Sequence, residues 1–268
     1  MRATELNEIA EVFVEVWETK TPPSGCAVSM GELSLDEAYV VQQKVIEHRV
    51  AMGERTVGYK IGCTSQAIRR QFGLSEPICG RLMAPHVHDR AAPQLETPVE
   101  LDWHDYVECA VEPEFVLCIG HDVTCEVVDE RELANAIQWV AAGIEVHNYR
   151  FWFGRPTSQE LIASNGIHAA LVVGQQRVSS ASLDFDTERV EIFRHDELVA
   201  SGVGSEIMGG PLKSLRWLVH HLIQRGEYLR AGQLVIPGSP VELVAVRSHD
   251  RITAAFTQLG KVSAVFSS

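Results

Sequence analysis

Apolar residues recur along the first fifty positions at the spacing of a helix face. In "ELNEIAEVFVEVWET" (5–19), Leu6, Ile9, Phe13 and Val16 form one stripe, which predicts a helix. "TPPSG" breaks the chain. "SLDEAYVVQQKVIEHRVAMG" (34–53) then opens with Ser34 three residues before Glu37, the spacing of a reciprocal helix cap, and ends near Gly53. "TVGYKIGCT" (56–64) reads as a short strand or turn in which Gly58 and Gly62 flank Lys60, and "SQAIRRQFGL" as another short helix.

From about Pro85 the pattern changes to that of strands. "VECAVEPEFVLCIG" (107–120) is a long one, and period-two alternation puts Glu112 and Glu114 on one face and Val111, Pro113 and Phe115 on the other. Adjacent carboxylates repel each other, so two readings stand. One is an exposed edge strand, where charge and proline block further pairing. The other is half of a divalent-metal site. "DERELANAIQWVAAG" (129–143) reads as a helix capped by Asp129, "IHAALVVG" as a buried strand, and "RVEIFRHDELVASG" as a hairpin turning near His195 and Asp196. "GGPLKSLRWLVHHLIQRG" is an amphipathic helix with Leu212, Leu215, Leu218, Val219 and Leu222 inward, and the tail "PVELVAVRSHDRITAAFTQLGKVSAVF" gives three strands. The expected fold class is α+β: a small helical N-terminal domain (1–80) on a larger mixed-sheet domain (81–268).

Composition narrows the functional classes. At 268 residues, 46% hydrophobic and 22% charged, the chain is long enough for a substantial core and too apolar to be disordered. A net charge of −13 with scattered basic residues argues against a nucleic-acid partner. The N-terminus lacks the uninterrupted apolar core of a signal peptide, and no stretch is apolar for long enough to span a bilayer, so the expectation is a cytoplasmic protein without a membrane partner. Cys26, Cys63, Cys79, Cys109, Cys118 and Cys125 show no C-x-x-C spacing and are expected to be reduced and buried.

Two further residues stand out only in combination. Glu145 lies inside an apolar run and Lys60 between glycines; alone, each has an ordinary structural explanation. Together with "GYKIGCTS", "SEPICGRL", "VEPEFVL", "AIQWVAAGIEVHNYR", "SGVGSEIMGGPLKSLRWL" and "GEYLRAGQLVIPG", they make the chain resemble the fumarylacetoacetate hydrolase superfamily, in its branch of 2-keto-4-pentenoate hydratases and 4-oxalocrotonate decarboxylases. The resemblance implies a β-roll-like catalytic domain, a homo-oligomer, and one Mg²⁺ or Mn²⁺ held by Glu112, Glu114 and Glu145. Three hard oxygen ligands suit such a cation and leave positions open for substrate. It further implies a small 2-oxo or 2-hydroxydienoic acid substrate from aromatic-ring cleavage, a chelated enolate, and Lys60 at the substrate's carboxylate as a catalytic and binding residue. Water addition is the first expectation, decarboxylation the alternative; a C–C bond hydrolase is disfavoured because the His–Glu pair of such relatives does not map onto this chain. A non-catalytic 2-oxo-acid-binding or partner protein is the reading from another class.

The chain departs from the family pattern where substrate is chosen. Ile78 stands where hydratases usually carry an acid, Ser164 replaces the acid before the retained Asn165, and Pro237 replaces a threonine, leaving Ser239 as the replacement hydroxyl. Ile78, Asn165 and Ser239 are therefore the candidate substrate-binding residues beside Lys60. Four histidines need placing: His86 and His88 read as a solvated or lid segment, His104 as a pocket candidate, and His147 as a neighbour of Glu145 on an extended chain.

Overall fold

Unbroken burial sets the centre of the molecule. Residues 140–148 are all buried, as are 113–119. A helix with one inward stripe cannot bury every consecutive residue, whereas a strand covered on both faces does. The computed structural model describes residues 3–21, 30–89, 97–125, 129–149 and 157–268. In chain order the elements are α1 (Ala3–Thr19), α2 (Leu35–Ala51), β1 (Thr56–Gly62), α3 (Gln66–Phe72), β2 (Ile78–Met83), β3 (Val87–Asp89), β4 (Val99–Asp102) and β5 (Cys109–Ile119). There follow α4 (Glu130–Ala136), β6 (Ile137–Asn148), α5 (Ser158–Ala163), β7 (His168–Val173), β8 (Arg189–Arg194), β9 (Glu197–Val203), α6 (Pro211–Gln224), β10 (Leu234–Ile236), β11 (Val244–Ala245), β12 (Arg251–Phe256) and β13 (Gly260–Ser267).

The strands form an eight-stranded mixed sheet, in the order β2-β1-β10-β5-β6-β7-β3 with β11 also on β5, and a five-stranded sheet in the order β4-β13-β12-β8-β9. The α+β class expected from sequence holds. Strand structure begins earlier than Pro85, because β1 and β2 are members of the larger sheet. The helix expected over 129–143 is corrected: α4 stops at Ala136 and the chain continues directly as β6. Asp129 caps α4 through the Arg131 N–H, but from Ile137 onward the backbone is claimed by β5 on one side and β7 on the other.

Alternation along β5 divides its side chains between two cores. Val111, Phe115, Leu117 and Ile119 pack with Val140, Ala142 and Ile144 of β6 against Ile192, Ile252, Ala254 and Phe266 of the second sheet. Phe115 meets Phe256 edge-on at 5.2 Å between ring centroids. Val116 and Cys118 point the other way, into a cluster with Leu82, Ala141, Leu171, Leu234 and Ile236 drawn from β2, β6, β7 and β10. The larger sheet therefore curls around a core of its own.

The helices seal the ends. Leu6, Ile9 and Phe13 of α1 pack on Val41 and Val45 of α2 and Ala163 of α5. The Ser34–Glu37 capping box is present. Buried Gln42 donates from Nε2 to the carbonyls of Cys79 (2.9 Å) and Ile162 (2.7 Å), tying α2 to β2 and α5. The five described cysteines are free; Cys26 lies outside the described residues, and Cys125 is exposed against expectation. No helix among the described residues is long and apolar enough to cross a membrane.

Where α6 meets α2, the His221 ring lies against Tyr39 and Trp217, with Nδ1 3.2 Å from Arg225 Nη1. Burial first, then Arg225 and Arg81, push His221 down to about 4 against the opposing pull of Glu227; burial likewise pushes His86 down to about 4. An unfolded chain binds these protons from pH ~6.5 downward while the folded chain refuses them until near 4, so stability rises with pH across that window. The urea midpoint is expected to climb between pH 4.5 and 6.5, and His221→Gln to flatten part of the climb. An unchanged slope in that variant would remove His221 from this linkage.

Candidate active site

The pairing of β5 with β6 sets Glu112 directly opposite Glu145 and Glu114 opposite Gly143. β5 lies between β10 and β6, and Glu114 is fully buried, so the edge-strand reading of the Glu-x-Glu pair does not hold. The carboxylates sit on the face of β5 and β6 that lines the curled interior, above Val116 and Ala141. Lys60 reaches them from β1, with Nζ 3.1 Å from Glu145 Oε1. Two strands, β10 and β5, stand between β1 and β6 in the sheet. In a flat sheet that spacing is about 14 Å, beyond the reach of a lysine. The curl is what brings the two together.

Each buried carboxylate accepts hydrogen bonds on one oxygen only. Glu145 Oε1 receives Lys60 Nζ at 3.1 Å and His168 Nδ1 at 2.7 Å, while Oε2 has no hydrogen bond. Glu114 Oε2 accepts the Gly238 N–H at 3.0 Å, while Oε1 has none. Gly238 can approach because it has no side chain: its φ is +114°, and a Cβ there would lie 2.6 Å from Thr64 Cγ2. Glu112 keeps some solvent access, at 21% of its side chain. Buried carboxylate oxygens without donors are costly unless a cation answers them, and hard oxygens suit Mg²⁺ or Mn²⁺. The donor set therefore fits a divalent ion.

The charges explain the proton preferences. Burial, then Glu145 and Glu112, raise Glu114 well above the carboxylate range despite Lys60 and the Gly238 N–H. Burial alone would raise Glu145 too, but His147, Lys60 and His168 outweigh it and hold this carboxyl well below its usual range. Burial works against the Lys60 ammonium, yet Glu145, Glu112 and Glu114 overcome it and raise its pKa. Lys60 is thus a cation throughout the physiological range. Burial lowers His168 against the pull of Glu145; as a neutral ring it donates Nδ1–H to the carboxylate.

The remaining expected residues are spread around this cluster. Ile78 is buried on the Lys60 face, where a Cβ on Gly62 would meet its Cγ1 at 3.3 Å. Asn165 engages both ends of its amide with the Arg81 backbone, accepting from N at 2.6 Å and donating to O at 2.9 Å, so it clamps β2. Ser239, half-buried beside Gly238, accepts from the Val241 N–H at 3.2 Å. Among the described residues, one group of three metal-ligating side chains converges: Glu112, Glu145 and His147 offer ligand atoms all within 4.8 Å of one another. His86 and His88 are half-buried, with His86 packed on Trp17, and neither belongs to that group. His104 is at the surface, with Nδ1 3.1 Å from Asp102 Oδ1 and 64% of its side chain exposed, and is no pocket residue.

His168 was invisible to sequence reasoning for a geometric reason. Along β7, Leu171 and Val173 face the curled interior while Ala170 and Val172 face the second sheet. Parity puts His168 with the latter pair. Between Val146 and His147 the register shifts, so that His147 pairs with His168 and Ala169 is skipped, which turns His168 inward. A cavity of about 380 Å³ lies elsewhere, against Tyr39, Cys79, Arg81, His221 and Arg225. Cys79 and Arg81 alternate with Ile78 and Gly80 along β2, so this cavity is on the opposite face of the strand from Lys60. Convergent buried charge, rather than open volume, marks the candidate site.

Comparison with known proteins places the chain by sequence and by fold. No family model matches the chain. It is 32% identical over 231 residues to 2-keto-4-pentenoate hydratase 1 of Dechloromonas aromatica (strain RCB), a match covering 86% of this chain and 85% of the relative. The fold superposes on 4-oxalocrotonate decarboxylase from Pseudomonas putida G7, complexed with magnesium and adipate, with a TM-score of 0.91 at 24% identity, covering 99% and 98% of the two chains. Fumarylpyruvate hydrolase from Pseudomonas aeruginosa, in complex with Mn²⁺ and pyruvate, matches with a TM-score of 0.61 at 19% identity over 80% of this chain and 89% of that one. The chain thus belongs to the 2-keto-4-pentenoate hydratase family.

Proposed function

We propose that this protein is a lyase that adds water to a short 2-hydroxy-2,4-dienoate, using a Mg²⁺ or Mn²⁺ ion held by Glu112, Glu114 and Glu145. The observation that carries the reading is the buried cluster in which Lys60 Nζ lies 3.1 Å from Glu145 Oε1 while Glu114 Oε1 and Glu145 Oε2 accept no hydrogen bond. The identity to a named hydratase over most of both chains supports the reaction class. When bound, the dication supplies charge neutralisation and Lewis-acid polarisation of a 2-oxo acid's oxygens.

The protein's own groups do the rest. Lys60, held by Glu145 Oε1 and the Gly166 carbonyl at 3.1 Å, presents a fixed ammonium. Its raised pKa keeps it an ammonium, suited to gripping the substrate carboxylate rather than to acting as a base. His168 fixes which oxygen of Glu145 turns towards the ligand side. Ser239 uses its oxygen as an acceptor for Val241 N, so its O–H is free to donate to substrate. Asn165 acts through β2, keeping Gly80 packed beside Lys60.

Ile78 favours a second reading. It places a buried aliphatic wall on the Lys60 face, with no acid there to position water. Decarboxylation needs no positioned water and is helped by a dry environment. The likeness to 4-oxalocrotonate decarboxylase over 99% of the chain shows that the same fold accommodates that enzyme.

Proton NMR with Mg²⁺ on two substrates in parallel separates these readings. Conversion of 2-hydroxypenta-2,4-dienoate to 4-hydroxy-2-oxopentanoate is the expected result. Loss of CO₂ from 2-oxohex-3-enedioate with the first compound untouched would replace hydration by decarboxylation, and inertness towards both would overturn the lyase reading. Lys60→Met is expected to lower kcat by ~100- to 10,000-fold with metal binding retained; near-normal turnover would remove Lys60 from the chemistry. Glu112→Gln and Glu114→Gln are each expected to weaken Mg²⁺ binding at least ~10-fold in equilibrium dialysis, and unchanged affinity in both would displace the metal from this cluster.

A further inference from the structure

His147 is poorly explained as a neighbour that merely orients a carboxylate. Its ring is 2% exposed, and neither ring nitrogen makes an aligned hydrogen bond. Nε2 nonetheless lies 3.0 Å from Glu112 Oε2 and 3.4 Å from Glu145 Oε2. A buried imidazole that served as a hydrogen-bond donor to either oxygen would point its N–H along the line to it. One serving as a ligand would instead aim a lone pair at the space the oxygens share. The three ligand atoms all lie within 4.8 Å of one another, and the 3.0 and 3.4 Å from Nε2 to the two oxygens are the spacings of adjacent ligands on one ion at about 2.1 Å bonds. Glu145 is already fixed by Lys60 and His168 on Oε1, so Oε2, the oxygen nearer His147, is the one left for a cation.

We infer that His147 is itself a metal ligand, making the centre a mixed imidazole–carboxylate site that prefers a first-row transition ion to Mg²⁺. The inference rests on the metal site proposed above and changes its chemical character. An all-oxygen set suits Mg²⁺ and Ca²⁺, whereas neutral imidazole binds Zn²⁺, Ni²⁺, Co²⁺ and Fe²⁺ strongly and Mg²⁺ poorly. Strand pairing supports the assignment: Glu145 and His147 are two residues apart on β6 and face Glu112 across the β5 ladder, so the three donors converge without any loop movement.

Pulsed EPR of the wild-type protein loaded with one equivalent of Mn²⁺ reads the bond directly. A ¹⁴N coupling of a directly bound imidazole is expected, and it should vanish in His147→Leu. Isothermal titration with Ni²⁺ and with Mg²⁺ gives the preference: the wild-type Ni²⁺/Mg²⁺ affinity ratio is expected to fall ~10- to 100-fold in His147→Leu, with Mg²⁺ affinity changing less than ~3-fold. Mn²⁺ bound without nitrogen coupling in the wild type, or an unchanged ratio in the variant, would overturn the inference while leaving the carboxylate site standing. If neither ion binds the wild type, the metal-site reading and this inference fall together.

Discussion

Three carboxylates on the inner face of one curled sheet can coexist only if positive charge is brought to them. Two of them are buried outright, and the lysine that answers them comes from a strand about 14 Å away in a flat arrangement. The requirement acts on the whole larger sheet. Curling puts Lys60 at Glu145, gives Val116, Leu171 and Ile236 an enclosed core beneath the charges, and leaves the opposite faces of β5 and β6 for the second sheet. The backbone follows the same constraint at short range. Gly238 lends an N–H to Glu114, and the skipped residue in β7 rotates His168 onto Glu145.

One lysine does not balance this cluster. Glu114 retains a strong upward push from burial and from its two acidic neighbours, while Glu145 is held ionised by the groups around it. The two acids thus differ in state although they line the same interior. The difference follows from their partners: Glu145 has Lys60 and two imidazoles, Glu114 a single backbone N–H. A dication would remove the imbalance, which is the electrostatic ground for the metal site proposed above.

What could be read from the chain alone was what local periodicity encodes. The helices of the N-terminus, the long strand with Glu112 and Glu114, the hairpin at His195 and the amphipathic α6 all lie where their patterns put them. The larger error fell on 137–143, where an Asp129 cap and an alanine-rich run imitate a helix but two-sided pairing makes a strand. The site was legible to the extent that its donors share a face: Glu112 with Glu114, Glu145 with His147. Lys60 joins them only through the curl, and His168 only through a register shift; no spacing in the sequence contains either. Asn165 drew notice as a candidate for touching substrate, yet its amide is bound to the Arg81 backbone. The proposed substrate-facing half is the least legible because its candidates, Ile78 and Ser239, are single side chains whose meaning depends on what binds beside them.

The metal site proposed above places one divalent ion among the carboxylates of β5 and β6. Anomalous diffraction from crystals soaked in Mn²⁺ tests it most directly. The expected map has one strong peak per chain within about 2–2.6 Å of oxygens from Glu112, Glu114 and Glu145. A strong peak at His86 and His88 instead, or no peak in the curled sheet at saturating Mn²⁺, would contradict it.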